Sequence, residues 1–370
     1  MKITKKELYK RQTTLAEIGD LGQKKLVQSN VVIVGCGGLG GVAAVYLAAS
    51  GVGVIHLVDY DVVDVSNLHR QVFYTPADVG KPKVEVLANH IRSMTPFVAV
   101  PVSNMMVKKN NVIKMLSKAD YVLDCTDSLP VKYLLNDACI LLDKPLIYGS
   151  LYKYDGYVAS FNIKDKKGAF SSNLRDAFPE ISKEAIPNCS EIGTLNTIVG
   201  IIGLLQANEV LKLITGIGKP LINELLIYNS LENSQYKMKL KPRDTSYTER
   251  KQRIAKLFER ETYFDATNEV QDEALLISAE VLRKKLSFGE ATLGLNIISV
   301  IEDMKIQVPF HVHKKIPLSQ LNVEALNFNE ANEYVIVCNK GVSSYIAMQK
   351  IKEVHPDLKV LSLKNGITNY

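Results

Sequence analysis

Val31-Val32-Ile33-Val34, followed by Gly35-Cys36-Gly37-Gly38-Leu39-Gly40, decides the fold of this chain. A short apolar run rich in β-branched residues leads into a G-x-G-x-x-G turn, and an apolar stretch continues to about Ser50. The pattern predicts strand, tight turn and helix. A second apolar run, Val54 to Val58, ends in Asp59, roughly 20 residues past the loop, where a carboxylate in such a fold meets ribose hydroxyls. Gly35 permits the sharp turn, Gly37 lets backbone N–H groups approach a phosphate, and Gly40 lets the helix pack closely on the strand. With Gly38 they form a candidate nucleotide loop whose helix N-terminus adds partial positive charge.

The stretch beyond this second strand carries more positive charge than a dinucleotide requires. After Asp59 come Asp61, then Ser66-Asn67-Leu68-His69-Arg70-Gln71, then Gly80-Lys81-Pro82-Lys83. A nicotinamide cofactor presents a pyrophosphate, which the loop and helix N-terminus largely neutralise. Cleaving a triphosphate between its α and β phosphates develops charge on the departing pyrophosphate, and fixed Arg and Lys side chains stabilise it. The surplus therefore suggests a triphosphate.

Arg11-Gln12, Glu17-Ile18-Gly19, the Gly35 to Gly40 loop, Asp59-Tyr60-Asp61, Ser66 to Arg70, Lys83 and Asp124-Cys125-Thr126-Asp127 occur in this order. Together they resemble the ThiF/MoeB/HesA-type adenylyltransferases that activate ubiquitin-like sulfur carriers, relatives of the ubiquitin-activating enzymes. The resemblance runs from about residue 5 to residue 230. It implies an α/β fold with a Rossmann-like doubly wound sheet, and ATP with Mg²⁺ as cofactors. By position it implies Asp59 on the ribose, Asn67 and Arg70 on phosphates, Lys83 near the attacked phosphate and Asp127 holding Mg²⁺, with Asp61 in support. It also implies that Arg11 is an arginine finger given to the neighbouring subunit, hence a homodimer. The plain alternatives are a helix cap for Asp127, solvated charges for Arg70 and Lys83, and a surface role for Arg11.

The composition fits two domains: 370 residues, 46% hydrophobic and 23% charged, exceed what one core usually serves. No apolar run approaches a membrane span, and Met1 to Glu7 lacks the apolar core of a signal peptide, so a cytoplasmic location is expected. A net charge of +6 is modest; it points to no nucleic-acid partner and suits docking of an acidic carrier. The run from Asn196 to Thr215 is apolar nearly all round and is expected to be buried in the core and at a dimer interface. Gln206, Asn208 and Glu209 interrupt it, which argues against a membrane partner.

Five cysteines, at 36, 125, 139, 189 and 338, include no C-x-x-C pair. An odd number in a cytosolic chain implies free thiols. Many members of the resembled family carry a structural zinc on two C-x-x-C pairs, but the corresponding stretches read Asn173 to Glu180 and Arg243 to Tyr247, with no thiolate. No zinc is expected. Cys189, in Pro187-Asn188-Cys189-Ser190 just ahead of the long apolar helix, sits where a thiol pKa is lowered; in the family the matching crossover-loop cysteine is proposed to form a thioester or persulfide-linked disulfide with the carrier. The alternative is a small filler, the role expected for Cys36, Cys125 and Cys139.

From about Leu231 basic residues crowd together, then acidic ones, which reads as a solvated linker with some helix, the alternative being a basic face that binds a partner. The expected organisation is an adenylation domain over 1–235, a charged linker over 236–270 and a second α/β domain over 271–370. In the last, Val335-Ile336-Val337-Cys338-Asn339-Lys340-Gly341 puts a cysteine between a strand end and a helix start, where backbone N–H donors favour a thiolate or persulfide anion. This piece, His311 and Leu363-Lys364-Asn365-Gly366-Ile367 resemble the rhodanese-like domain. Cys338 is then the implied persulfide carrier, with Lys340 helping to hold it anionic. Ser299, Ile301 and Ser343 depart from the family pattern and put the sulfurtransferase rate in doubt more than the fold.

The combined expectation is an enzyme that adenylates the C-terminal glycine of a small ubiquitin-like carrier ending in Gly-Gly. Cys338 persulfide, with Cys189, then places sulfur on the activated carboxyl, and a cysteine desulfurase is one candidate donor. Molybdopterin, thiamine and thiolated-tRNA pathways stay open. The rival readings are a related enzyme adenylating a tRNA base or peptide terminus, an NAD-dependent oxidoreductase, and a non-catalytic adaptor.

Overall fold

The computed structural model describes residues 3–179, 193–244, 246–261, 263, 272–287, 294–339 and 341–370. Among them, residues up to Tyr263 form one compact unit and those from Asp272 a second.

Three short helices, α1 (Lys5–Leu8), α2 (Lys10–Thr13) and α3 (Gly19–Gln28), open the first unit. Next come β1 (Asn30–Val34), α4 (Gly38–Ala49), β2 (Val54–Asp59), α5 (Lys83–Met94), β3 (Val102–Asn104), α6 (Val112–Leu116), β4 (Tyr121–Asp124), α7 (Leu129–Leu141) and β5 (Leu146–Tyr152). Strands β1 to β5 are parallel in the order β3-β2-β1-β4-β5. The chain winds outward from β1 in one direction and then returns to wind in the other, so the order reverses between β1 and β4. The predicted strand, turn and helix lie where the apolar run and glycines put them, because Val31 to Val34 are buried on both faces of the sheet.

The sheet then changes character. β6 (Asp155–Phe161), β7 (Glu224–Asn229) and β8 (Ser234–Lys239) add antiparallel to β5, making eight strands. Between β6 and β7 lie α8 (Leu174–Ala177) and α9 (Asn196–Thr215). The expectation that no apolar run approaches a membrane span is corrected here: α9 is long and apolar enough to cross one, and half of it is buried within the unit. It packs on α4, β5 and β6. Its polar residues are used there: Gln206 Nε2 donates to the Asp124 and Ile147 carbonyls at 2.8 and 3.3 Å, and Glu209 accepts from Ser160 Oγ at 2.9 Å and the Leu221 N–H at 2.7 Å.

The expected linker over 236–270 is corrected by this architecture. β8 belongs to the sheet, and α10 (Tyr247–Arg260), with Arg250 and Ile254 buried, packs on α7. The stretch read as solvated because its buried positions are few and one of them is an arginine.

The second unit is a five-stranded parallel sheet in the order β11-β10-β12-β13-β9. Its elements are β9 (Leu276–Ile277), α11 (Ala279–Ser287), β10 (Leu295–Ser299), β11 (Lys314–Lys315), β12 (Glu333–Val337), α12 (Val342–Val354) and β13 (Lys359–Leu363). Apolar residues fill both faces: Ile298, Ile336 and Val360 with Met348 and Ile351 on one, Ile297, Val335 and Leu363 with Leu282 on the other.

Candidate active site

Parallel register sets the ends of β1, β2 and β4 level, since Val34 pairs with both Val58 and Asp124. Beyond them the Gly35 N–H donates to Val58 O and the Cys125 N–H to Val34 O, both at 2.9 Å. The glycine loop, Asp59 and the Asp124 to Asp127 turn thus leave the sheet together, at the strand-order reversal where open α/β sheets bind ligands. Gly35 has φ +92°, and a Cβ there would lie 2.6 Å from the Cys125 carbonyl oxygen; one at Gly40 would lie 1.8 Å from Gly35 O. Both positions demand glycine. Gly38 is fixed by packing, since a Cβ would strike Val199 of α9 at 2.2 Å and Arg70 O at 3.1 Å. At Gly37, the N-cap of α4, the nearest atom to a Cβ would be Gln71 Nε2 at 3.4 Å, an ordinary contact.

Asp59 organises this loop. Its Oδ2 accepts from the Cys36 N–H at 2.6 Å and its Oδ1 from the Asp61 N–H at 2.9 Å. Burial pushes its pKa up, opposed by the charge of Lys83. Lys83 starts α5, is 4% exposed, and places Nζ 2.8 Å from Asp61 Oδ2 while its N–H donates to Asp61 O at 2.9 Å. It is not a freely solvated charge. Tyr74, which the sequence did not single out, donates to Cys36 O at 2.6 Å and to Lys83 O at 3.4 Å, tying the loop to α5.

Asn67 and Arg70 flank the loop on the turn from Ser66 to Gln71. Gln71, 7% exposed, donates Nε2 to Asn67 Oδ1 at 2.9 Å, which fixes the Asn67 amide with its Nδ2 as the remaining donor group. The buried Gln71 Oε1 has no hydrogen-bond partner among the described residues. Arg70 Nη1 donates to Ser66 O at 3.0 Å and contacts His69 Nε2 at 2.9 Å. Asp127 is exposed, and the cap of α7 is its neighbour Ser128, whose Oγ accepts from the Val131 N–H at 3.3 Å. The capping alternative for Asp127 therefore fails. Beneath the turn, fully buried Asp124 accepts from Lys132 Nζ at 3.2 Å at both oxygens and from Thr126 Oγ1 at 2.7 Å, while Lys132 also donates to Gly149 O at 2.7 Å.

Arg11 is not brought to this loop. It is exposed on α2, and its neighbour Gln12 donates to Ser50 O at 2.9 Å, at the far end of α4. The 12 residues of α4 separate that end from the glycines by about 18 Å. Cys36, Cys125 and Cys139 are buried, and burial pushes all three thiol pKa values up, as suits packing residues. Cys189 and Lys340 lie outside the described residues.

The second unit has its own site. Cys338 follows β12, is 4% exposed, and its Sγ accepts from the Gly341 N–H at 3.1 Å. Ser344 Oγ lies 3.2 Å from the same sulfur and receives a hydrogen bond from Ser362 Oγ at 2.9 Å. The two serines were missed because buried hydroxyls on a helix and a strand leave no sequence signal. The loop is clamped from the C-terminal segment: the Ile367 N–H donates to Cys338 O at 2.9 Å and Thr368 Oγ1 to Asn339 O at 2.6 Å. A Cβ at Gly366 would lie 2.4 Å from Asn339 O. Ser299 and Ile301, the departures from the rhodanese pattern, are buried.

The model of the ThiF family matches residues 9–249. The chain belongs to the ThiF family. A sulfur carrier protein adenylyltransferase of Thermus thermophilus is 42% identical over 64% of this chain and 89% of its own length. A probable adenylyltransferase/sulfurtransferase MoeZ of Mycobacterium tuberculosis is 32% identical over 93% of this chain and 88% of its own. The adenylyltransferase and sulfurtransferase MOCS3 of Drosophila grimshawi is 34% identical over 97% and 82%. Among solved structures, E. coli MccB with ATP covers 64% of this chain and 72% of its own, at TM-score 0.54 and 23% identity, a likeness of fold. This ThiF-family chain is an ATP-using adenylyltransferase with a sulfurtransferase domain, which sets aside the oxidoreductase and adaptor readings.

Proposed function

We propose that the chain adenylates the C-terminal glycine of a small ubiquitin-like sulfur carrier ending in Gly-Gly and then places sulfur on it. The observation that carries the first half is the convergence of the α4 N-terminus, Asp59, Lys83 and the Asp124 to Asp127 turn at the ends of β1, β2 and β4. The α4 N-terminus and Lys83 suit the phosphates of ATP, with Asn67 and Arg70 beside them, and Asp59 suits the ribose. Asp127 would hold Mg²⁺, which needs only one or two carboxylates when phosphates supply other oxygens. The ion would neutralise phosphate charge.

The carrier carboxylate attacks the α-phosphate and pyrophosphate leaves. Lys83, released from Asp61 as phosphate arrives, steadies the developing charge. Arg11, remote from its own loop, would serve the site of a second copy, so we propose a homodimer. The half-exposed face of α9 with Gly200, Ile201 and Leu204 is the candidate interface.

Cys338 persulfide would then attack the carbonyl carbon, AMP leaving, to give an acyl disulfide between carrier and Cys338. A second thiol, Cys189 or a small-molecule reductant, cleaves the S–S bond, releases the thiocarboxylate and leaves a disulfide for reduction. A cysteine desulfurase is a fitting sulfur donor, and the thiols suit a cytoplasmic setting. ATP–pyrophosphate exchange tests the first half: exchange should require Mg²⁺ and a carrier ending in Gly-Gly. Exchange supported by a tRNA or an unrelated peptide terminus, and by no carrier, would replace the substrate assigned here.

A further inference from the structure

Many members of the resembled family hold a zinc on two cysteine pairs, and the two corresponding stretches meet in this structure with their polar groups already engaged. Asp176 Oδ1 accepts from the Arg243 N–H at 3.0 Å, and its Oδ2 accepts from the Asn173 N–H at 2.9 Å and Nδ2 at 2.7 Å. The Asp244 carboxylate is held by Arg253, with Nη2 to Oδ2 at 2.6 Å and Nε to both oxygens at 3.1 and 3.2 Å. Neither stretch contains a Cys or His. Structural zinc takes thiolate and imidazole donors, and the residues present do not fit it.

A hydrogen-bonded network occupies this corner instead. Asp137 of α7, fully buried, accepts from Arg175 of α8 through Nε at 2.9 Å and Nη2 at 2.7 Å, and from the Tyr263 hydroxyl at 2.6 Å. The Arg175 guanidinium lies 4.9 Å from the Tyr133 ring centroid, and Tyr133 donates to Phe178 O at 2.9 Å. From α10, Arg250 reaches inward to Ser171 O at 2.8 Å and Asn162 Oδ1 at 2.7 Å. Charge-assisted bonds of this kind are strong where water is excluded.

We propose that this network is a metal-free clamp that does here the cross-linking that zinc does in relatives. It fastens Arg243, α10 and Tyr263, near the end of the first unit, onto α7, α8 and the Asn162 to Ser171 stretch, and it anchors α8 ahead of Cys189 in the sequence. The proposal is independent of the substrate.

Metal analysis of the full chain, with thermal melts in excess Mg²⁺ with and without a zinc-selective chelator, tests it. No stoichiometric zinc and no shift with chelator are expected. Asp137→Asn, which strands buried Arg175, should lower the first unit's melting temperature by about 10 °C. Should that variant not fold, Tyr263→Phe should lower it by about 5 °C, and Arg175→Lys should couple to it non-additively. Stoichiometric zinc whose removal lowers the melting temperature overturns the proposal. So do Tyr263→Phe and Arg175→Lys proteins that melt with the unchanged chain.

Discussion

The two sites in this chain are built on opposite plans. The proposed nucleotide site draws on residues between Gly35 and Asp127, far apart in sequence and set level by parallel strand register. The proposed sulfur site is one atom, Cys338 Sγ, held in a short loop by a backbone N–H and a serine pair. Distributed electrostatic stabilisation degrades in steps as its members are removed. A covalent carrier has no substitute.

The sharpest way to break this contrast is Cys338→Ser. It should leave pyrophosphate exchange intact and lower thiocarboxylate formation by on the order of 10³-fold or more, read by carrier mass. Lys83→Ala should give the reverse: exchange lower by about 10²- to 10³-fold, with thiosulfate-loaded Cys338 persulfide still formed and seen by mass. Equal loss of both signals in either variant would mean that the sites are not chemically separable.

Lys132→Met probes support beneath the nucleotide turn. It strands Asp124 in the interior, so the first unit should lose about 3–5 kcal/mol in denaturant melts, and any folded enzyme should show a raised KM for Mg·ATP. A pH series probes Asp59. Its pKa is raised by burial, so the cost of ionising it is absent below the ordinary carboxylate pKa and fully present above the raised value. Ribose hydroxyls favour the ionised form, so ATP affinity should fall on acidification at a higher pH than an ordinary aspartate would give. Asp59→Asn should bind ATP more weakly and lose that dependence. The smallest effect is expected of Ser344→Ala, about 10-fold in sulfur transfer, because Gly341 still supports the sulfur.

In the parallel half of the sheet, Val31 to Asp59 was readable because two apolar runs flank a glycine turn at the spacing of a βα unit. The antiparallel half was not. Tyr236, Met238 and Leu240 alternate with Lys237, Lys239 and Lys241, but β8 is exposed along most of its length and its lysines read as part of a charged linker. Half of α10 is charged, and its anchor, Arg250, looks like its neighbours until Ser171 and Asn162 are seen around it. The site residues at strand ends were legible for the same reason as the strands. Tyr74, Lys132 and Ser344 were not, since each acts through contacts between separate elements that leave no motif in the sequence, and Gln71 acts through Asn67, four residues before it. Gly38 shows the limit from the other side: it lies within a nucleotide motif, yet the contact that demands it is Val199 of α9.

The central claim is that one chain activates a carboxyl with ATP and then delivers sulfur to it. The direct measurement is the mass of a Gly-Gly carrier after incubation with this protein, Mg·ATP, a persulfide source and a thiol reductant. A thiocarboxylate that needs both ATP and Cys338 is the predicted result. A thiocarboxylate formed without ATP, or formed equally well by Cys338→Ser, would contradict it.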